Sequence, residues 1–412
     1  MSRRPRRYAR FTRVLVLLGV VLLGVDVAVD YILRRTGEQS DVSRIVDEQR
    51  RTDAMYLSLL NDNEFQYKVE LVRDREPQIV ALGSSRILPL REEFFDTSFA
   101  NAGRAVTQIN HAPAFLRAVE ADGLPAVILF GLDFWWFHAG RARVSAYEPD
   151  PAQDDDGIIG LDKIRLLRTQ WAEGRVPVRD LIRKVVFNEE PAWNRRFGFR
   201  SVGLSAMAGF HGFRRDGSYF YGGLLVGRTE SDDTGFNKTL ERIERGTTRF
   251  AHGDAISDMA WTMLIEFVKS AEAQGVHVVL FMPPVAPLVA EKLKAMTPSY
   301  QYLDILRSRL AALEHYHDYL DPTALNATDC EFIDGFHGGD VVFQRILLDM
   351  ADTDPLLGRF VDTSRLSESI RLHRGRALVP RHPVETSPAF NEVDFLDLGC
   401  EKGASATHGV SR

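Results

Sequence analysis

The sequence is poor in the residues that metal, nucleotide and disulfide-rich proteins depend on. Its 412 residues include two cysteines, Cys330 and Cys400, which make neither a disulfide framework nor a metal site. No His/Cys group has zinc spacing, and neither a Walker loop nor a Gly-x-Gly-x-x-Gly turn occurs. A metal or nucleotide enzyme is therefore disfavoured, and no cofactor is expected. Positive charge is not in excess either: a formal net charge of −6 gives no drive toward nucleic acid. A hydrophobic content of 45% is that of a globular protein, with room for one large domain or two ordinary ones.

What is present begins with a basic N-terminus. Residues 1–13 carry arginine at 3, 4, 6, 7, 10 and 13 and no acid, and Val14 to Val25 is then wholly apolar. That run is shorter than the ~20 residues that span a bilayer, but counting on through Leu33, past Asp26 and Asp30, restores the length. The positive-inside rule puts the arginines in the cytoplasm. With no good Ala-x-Ala cleavage site, a retained signal anchor is favoured over a removed signal, and both export the rest of the chain. The expected organisation is a cytoplasmic tail (1–13), a transmembrane anchor (14–33) in the cell membrane, a charged, helical membrane-proximal stalk (34–76), and an extracytoplasmic or periplasmic domain from residue 77.

That domain is organised around Gln78-Ile-Val-Ala-Leu-Gly83-Ser84-Ser85-Arg86. An unbroken apolar run ending at a small-residue turn reads as a buried strand of a parallel sheet. Open α/β sheets place their chemistry at such carboxyl ends. The alternative is an ordinary strand-to-loop turn with serine as filler or N-cap. Further strands are expected near Thr97–Gly103, Pro125–Phe130, Val276–Phe281 and Tyr316–Leu320, separated by helical patterns at Thr107–Ala121, Ile256–Ala273, Val285–Met296 and Tyr302–Glu314. This alternation implies a mainly parallel sheet with helices on both faces. Residues 138–255 break the alternation and read as a cap or lid insertion. Asp150–Asp156 within it is an acidic, solvated loop, Leu161–Trp171 and Val178–Val186 look helical, and Arg214–Ser218 is a turn.

Downstream, Asp334-Gly-Phe-His337 puts a carboxylate three residues before an imidazole, close enough to hold Nδ1 and leave Nε2 to accept a serine proton. A capping Asp beside an exposed His is the other reading. Asp340 reads as the N-cap of a last domain helix, Val341–Met350. His277 reads as structural. Residues 355–412 form a C-terminal extension whose end, from Glu401, looks disordered.

Together, Gly83-Ser84-Ser85 and Asp334-x-x-His337 resemble the SGNH/GDSL family of serine esterases and acyltransferases over roughly residues 75–352. Ser84 stands where the commoner Gly-Asp-Ser-Leu form has aspartate. The resemblance implies a three-layer α/β/α, flavodoxin-like domain (77–354), with Ser85 as nucleophile, His337 as base and Asp334 as its orienting acid. It also implies an oxyanion hole from the Ser85 and Gly103 amides. Where the family has Gly-x-Asn-Asp, this chain has Gly131-Leu-Asp133; an ionised Asp133 cannot donate to an oxyanion and can instead hold a loop amide or an arginine. Arg86 is either an anion-binding residue or a salt-bridge partner. Trp135 and Trp136, in the run Phe134–Phe137, form either a substrate wall or core packing. The implied function is an anchored esterase or O-acyltransferase acting on acyl, above all acetyl, esters of an envelope carbohydrate, beside a multi-pass membrane acyltransferase partner. The alternative is a non-catalytic, glycan-binding or scaffold protein of the same fold.

Overall fold

The structure is a computed structural model that describes residues 4–121, 123–148, 161–381 and 391–402. It is mixed α/β and divides into two compact units, one of residues 1–62 with 151–212 and the other of residues 63–150 with 213–412.

In the first unit one helix among the described residues, Arg4–Thr36, is long and apolar enough to cross a membrane. Its apolar side chains from Tyr8 to Val25 are exposed, whereas Val29 and Leu33 are buried with Leu167, Leu181, Val185 and Met207. The two acids that interrupt the apolar run share one cation: Lys163 lies 3.0 Å from Asp26 and 2.5 Å from Asp30. The insertion's helices form at Leu161–Ala172 and Val178–Phe187. The acidic stretch 150–156 lies outside the described residues. Only residues 161–212 of the insertion's described part belong to this unit; 138–148 and 213–255 belong to the other. Glu38 is buried here, where its carboxylate accepts from the Ser58 hydroxyl and from the amides of Leu59, Leu60 and Leu204.

The second unit begins with helix α1 (Glu64–Arg75), which buries Phe65, Val69 and Val72 in the main core. The segment read as a stalk thus ends in a helix of the globular core. Then follow β1 (Ile79–Gly83), β2 (Phe99–Gly103), α2 (His111–Glu120), β3 (Val127–Gly131), α3 (Asp258–Ala273), β4 (His277–Met282), α4 (Pro287–Ala295), α5 (Gln301–Leu310), β5 (Tyr316–Asp318) and α6 (Asp340–Thr353). The strands form one parallel sheet in the order β2-β1-β3-β4-β5. All five residues of each of the first three strands are buried, as a sheet covered on both faces requires. The helices supply apolar faces at helical spacing: α3, N-capped by the Ser257 hydroxyl, buries Ala260, Leu264, Phe267 and Ala271. The strand order reverses between β1 and β3, and a crevice outside the carboxyl ends at that point is where open α/β sheets bind ligands.

Some local expectations change. Gly339, not Asp340, is the N-cap of α6, and Asp340 is its first residue, its carboxylate 2.7 Å from Arg91. A further helix, Thr363–His373, follows the domain and is capped by the Asp362 side chain. Cys330 and Cys400 are joined in a disulfide with Cα atoms 5.7 Å apart, so the two cysteines do form a covalent link. It ties residue 400 to the turn before Phe332. Of the tail from Glu401, residues 403–412 lie outside the described residues.

Candidate active site

Ser85 stands just past β1, in a one-turn 3-10 helix, Ser85–Ile87. Gly83, the last strand residue, has φ 154°, a region that favours glycine, and a Cβ there would meet the Gly131 carbonyl at 2.9 Å. The N-cap role falls to Ser84, whose hydroxyl accepts from the Arg86 amide at 3.2 Å. The cap is thus made by Ser84 and not by the Ser85 hydroxyl. Ser85 Oγ lies 2.8 Å from His337 Nε2, across 252 residues of chain.

His337 and Asp334 come from a tight two-stranded turn, Phe332–Asp334 with His337–Gly338. Asp334 Oδ2 is 2.7 Å from His337 Nδ1, and its Oδ1 accepts from the amides of Phe336 and His337 at 2.9 and 2.8 Å. Burial acts to raise the Asp334 carboxyl, but the His337 charge and these hydrogen bonds outweigh it and hold it below the usual carboxylate range. Asp233, which the sequence did not single out, steadies the turn: its carboxylate accepts from the Gly335 amide at 2.9 Å and from Thr239. The three expected residues are brought together in hydrogen-bonding order. In this arrangement Asp334 fixes the Nδ1–H tautomer, and Nε2 is free to take the serine proton.

The oxyanion donors come out differently. The Ser85 amide has no hydrogen-bond partner among the described residues, but the Gly103 amide donates to Asn101 Oδ1 at 2.7 Å. Gly103 is therefore not a free donor. Asn101, buried in β2, also donates through Nδ2 to the carbonyls of Ile87 and Leu90, both at 2.8 Å, and so ties the second loop to the serine turn. Asp133 is not a donor either: it meets Arg86 Nη1 at 3.1 Å.

Arg86 is 1% exposed and Asp133 0%. Beyond Asp133, the guanidinium donates to the carbonyls of Phe336, Pro283 and Pro284 at 3.0, 2.6 and 2.8 Å. Buried, and with all three of its nitrogens bonded to protein, Arg86 is a tie between the serine turn, the β3 and β4 exit loops and the histidine turn, and not a substrate ligand. Burial pushes the Asp133 carboxyl up, with Arg86 acting in the opposite sense, and pushes the Arg86 guanidinium down. Trp136 is fully buried and packs in the core near Phe130, so it too is no substrate wall. Trp135 lies edge-on to Phe336, next in chain to His337, with ring centroids 6.4 Å apart.

An accessible cation sits on this aromatic pair. Exposed Arg249 lies 5.7 Å from the Trp135 ring and 5.6 Å from Phe336, with no carboxylate paired to it among the described residues. Arg104, in the loop after β2, has φ 75°, an uncommon conformation for a residue with a side chain, and pairs with Glu64 at 2.8 Å. Neither arginine carries a sequence signal beyond its charge.

Comparison with family models, with curated proteins and with solved structures gives no significant match to this chain.

Proposed function

We propose that the protein is a membrane-anchored serine esterase or O-acyltransferase of the SGNH/GDSL type. The observation that carries this reading is the continuous Ser85–His337–Asp334 relay, with contacts of 2.8 and 2.7 Å. The strand order, equivalent to 2-1-3-4-5 in chain order, is the flavodoxin-like order and supports the same fold type. His337 takes the Ser85 proton, Oγ attacks the carbonyl carbon of an ester, and an acyl-serine forms as the alcohol leaves with the proton that His337 returns. Water or a sugar hydroxyl then accepts the acyl group. The Ser85 amide stabilises the tetrahedral oxyanion.

An envelope carbohydrate carrying acetyl esters is the proposed substrate, with a multi-pass membrane acyltransferase as the partner. Arg249, and not Arg86, is the residue placed to attract an anionic group on that glycan. The helix Arg4–Thr36 anchors the chain in the cell membrane with the catalytic unit outside the cytoplasm. The Cys330–Cys400 disulfide supports export, because such bonds persist in oxidising compartments.

A second reading is a glycan-binding or scaffold protein of this fold. The observation in its favour is that Gly103, one of the two expected oxyanion-hole amides, and Asp133, at the family's asparagine position, are engaged within the protein. Turnover of p-nitrophenyl acetate by wild type, Ser85→Ala and His337→Ala, with Ser84→Ala as control, separates the two. Activity lost in the first two variants and kept in the third supports the enzyme; a folded but inactive wild type supports the scaffold.

A further inference from the structure

A second cluster of chemically capable side chains lies at the other edge of the sheet. His277 is the first residue of β4, in register with Val127 of β3, which in turn pairs with Ile79 at the start of β1. His315 directly precedes β5, and Asp354 directly follows α6. Ser85 follows the opposite, carboxyl end of β1, so this cluster has no part in the relay described above.

The three side chains converge. Asp354 Oδ2 lies 2.6 Å from His277 Nε2 and 3.2 Å from His315 Nδ1, and all three ligand-type atoms fall within 4.8 Å of one another. The carboxylate is held in position from behind: Asp354 Oδ1 accepts from the amides of Leu356 and Leu357, both at 3.0 Å, which leaves Oδ2 aimed at the imidazoles. The histidines are fixed through the sheet, His277 by its amide to the Ala126 carbonyl and His315 by its carbonyl to the Leu280 amide. His315 sits at φ 54°, in a turn that brings its ring against that of His277, with centroids 4.4 Å apart.

We propose that His277, His315 and Asp354 bind a divalent transition-metal ion of the zinc type. Two imidazoles and one carboxylate favour zinc-class ions over calcium or magnesium, which take oxygen ligands. Tetrahedral coordination at 2.0–2.1 Å sets ligand atoms about 3.3 Å apart, so the site accepts an ion with side-chain shifts of about an ångström. The ion takes the place of the proton between His277 Nε2 and Asp354 Oδ2, and the neutral His277 ring that ligates through Nε2 carries its one proton on Nδ1. The fourth position is open to water, because His315 is 39% exposed while Asp354 is 2% exposed. Asp354 held by backbone amides is the kind of outer support that orients metal ligands. The ion links the starts of β4 and β5 to the end of α6, so its role is to clamp the sheet's amino edge.

The test uses the untagged full-length chain in detergent, stripped with EDTA, dialysed and titrated with zinc chloride by calorimetry, with thermal melts in parallel. The expected result is one zinc per wild-type chain and a raised melting temperature. His315→Ala, which leaves the Asp354 cap intact, and His277→Gln are each expected to weaken zinc binding at least tenfold, with no change in the labelling of Ser85 by a fluorophosphonate. The proposal is overturned if wild type takes up no stoichiometric zinc, which leaves a hydrogen-bonded His–Asp–His cluster only. It is equally overturned if either variant binds zinc as tightly as wild type.

Discussion

Arg86, next in chain to Ser85, and Asp133 form a buried ion pair, 3.1 Å between Nη1 and Oδ1. Desolvating two charges is costly, and the Coulomb attraction offsets that cost only when the remaining hydrogen-bonding capacity is filled. Here three carbonyls accept further guanidinium N–H groups, which offsets part of that cost. The pair sets the geometry of the serine turn relative to the histidine turn, because one of those carbonyls belongs to Phe336.

Removing one member strands the other. Arg86→Ala is predicted to lower unfolding stability by about 3–5 kcal/mol. Arg86→Lys, which cannot reproduce the fork of contacts, falls in between. Urea denaturation measures both. A variant as stable as wild type, altered only in KM, would return Arg86 to a substrate-binding role.

Much of this was legible in the sequence, and the rest was hidden for definite reasons. The buried strand Ile79–Gly83 is a continuous apolar run, and Asp334 reaches His337 within one turn, so both are local patterns. The role of Arg86 depends on Pro283, Pro284 and Phe336, some 200 to 250 residues away, and no local signal carries such contacts. Asn101 falls within the expected strand Thr97–Gly103, but its tie to the serine turn had no local signal because its partners, Ile87 and Leu90, lie on another segment. The cysteines are 70 residues apart, and spacing alone does not pair them. Helix Thr363–His373 escaped because its buried face rests chiefly on Leu366, too little for a periodic pattern.

Asp334 gives a pH-dependent stability of defined sign. Its folded pKa lies below the unfolded value of about 3.9. The ionised group therefore adds stability that is fully present above that value and is lost as pH falls through the folded pKa. The stability gap between wild type and Asp334→Asn is predicted to be largest near neutrality and to shrink on acidification. Urea melts across that range check it, and a gap independent of pH contradicts it.

Arg249 is exposed beside Trp135 and Phe336. Arg249→Ala is predicted to raise KM roughly tenfold for an ester bearing a negative charge, equivalent to about 1.4 kcal/mol of binding. The KM of a neutral ester and the kcat of both should change little. Equal effects on charged and neutral esters would remove Arg249 from charge recognition.

The disulfide closes a loop across 70 residues. Chain-entropy reasoning gives such a link about 4 kcal/mol of stabilisation. Cys330→Ser with Cys400→Ser is predicted to lower the urea midpoint accordingly, and dithiothreitol should bring wild type down to the double variant. No change in either case would mean the link contributes nothing to stability.

The central claim is that His337 makes Ser85 nucleophilic. The most direct measurement is the mass-spectrometric mapping of a fluorophosphonate adduct on the full-length protein. The account predicts one adduct, on the peptide carrying Ser84 and Ser85. It should persist in Ser84→Ala, vanish in Ser85→Ala, and form roughly 10²–10⁴-fold more slowly in His337→Ala. A folded wild type that takes no adduct, or takes it on a serine other than Ser85, would contradict it.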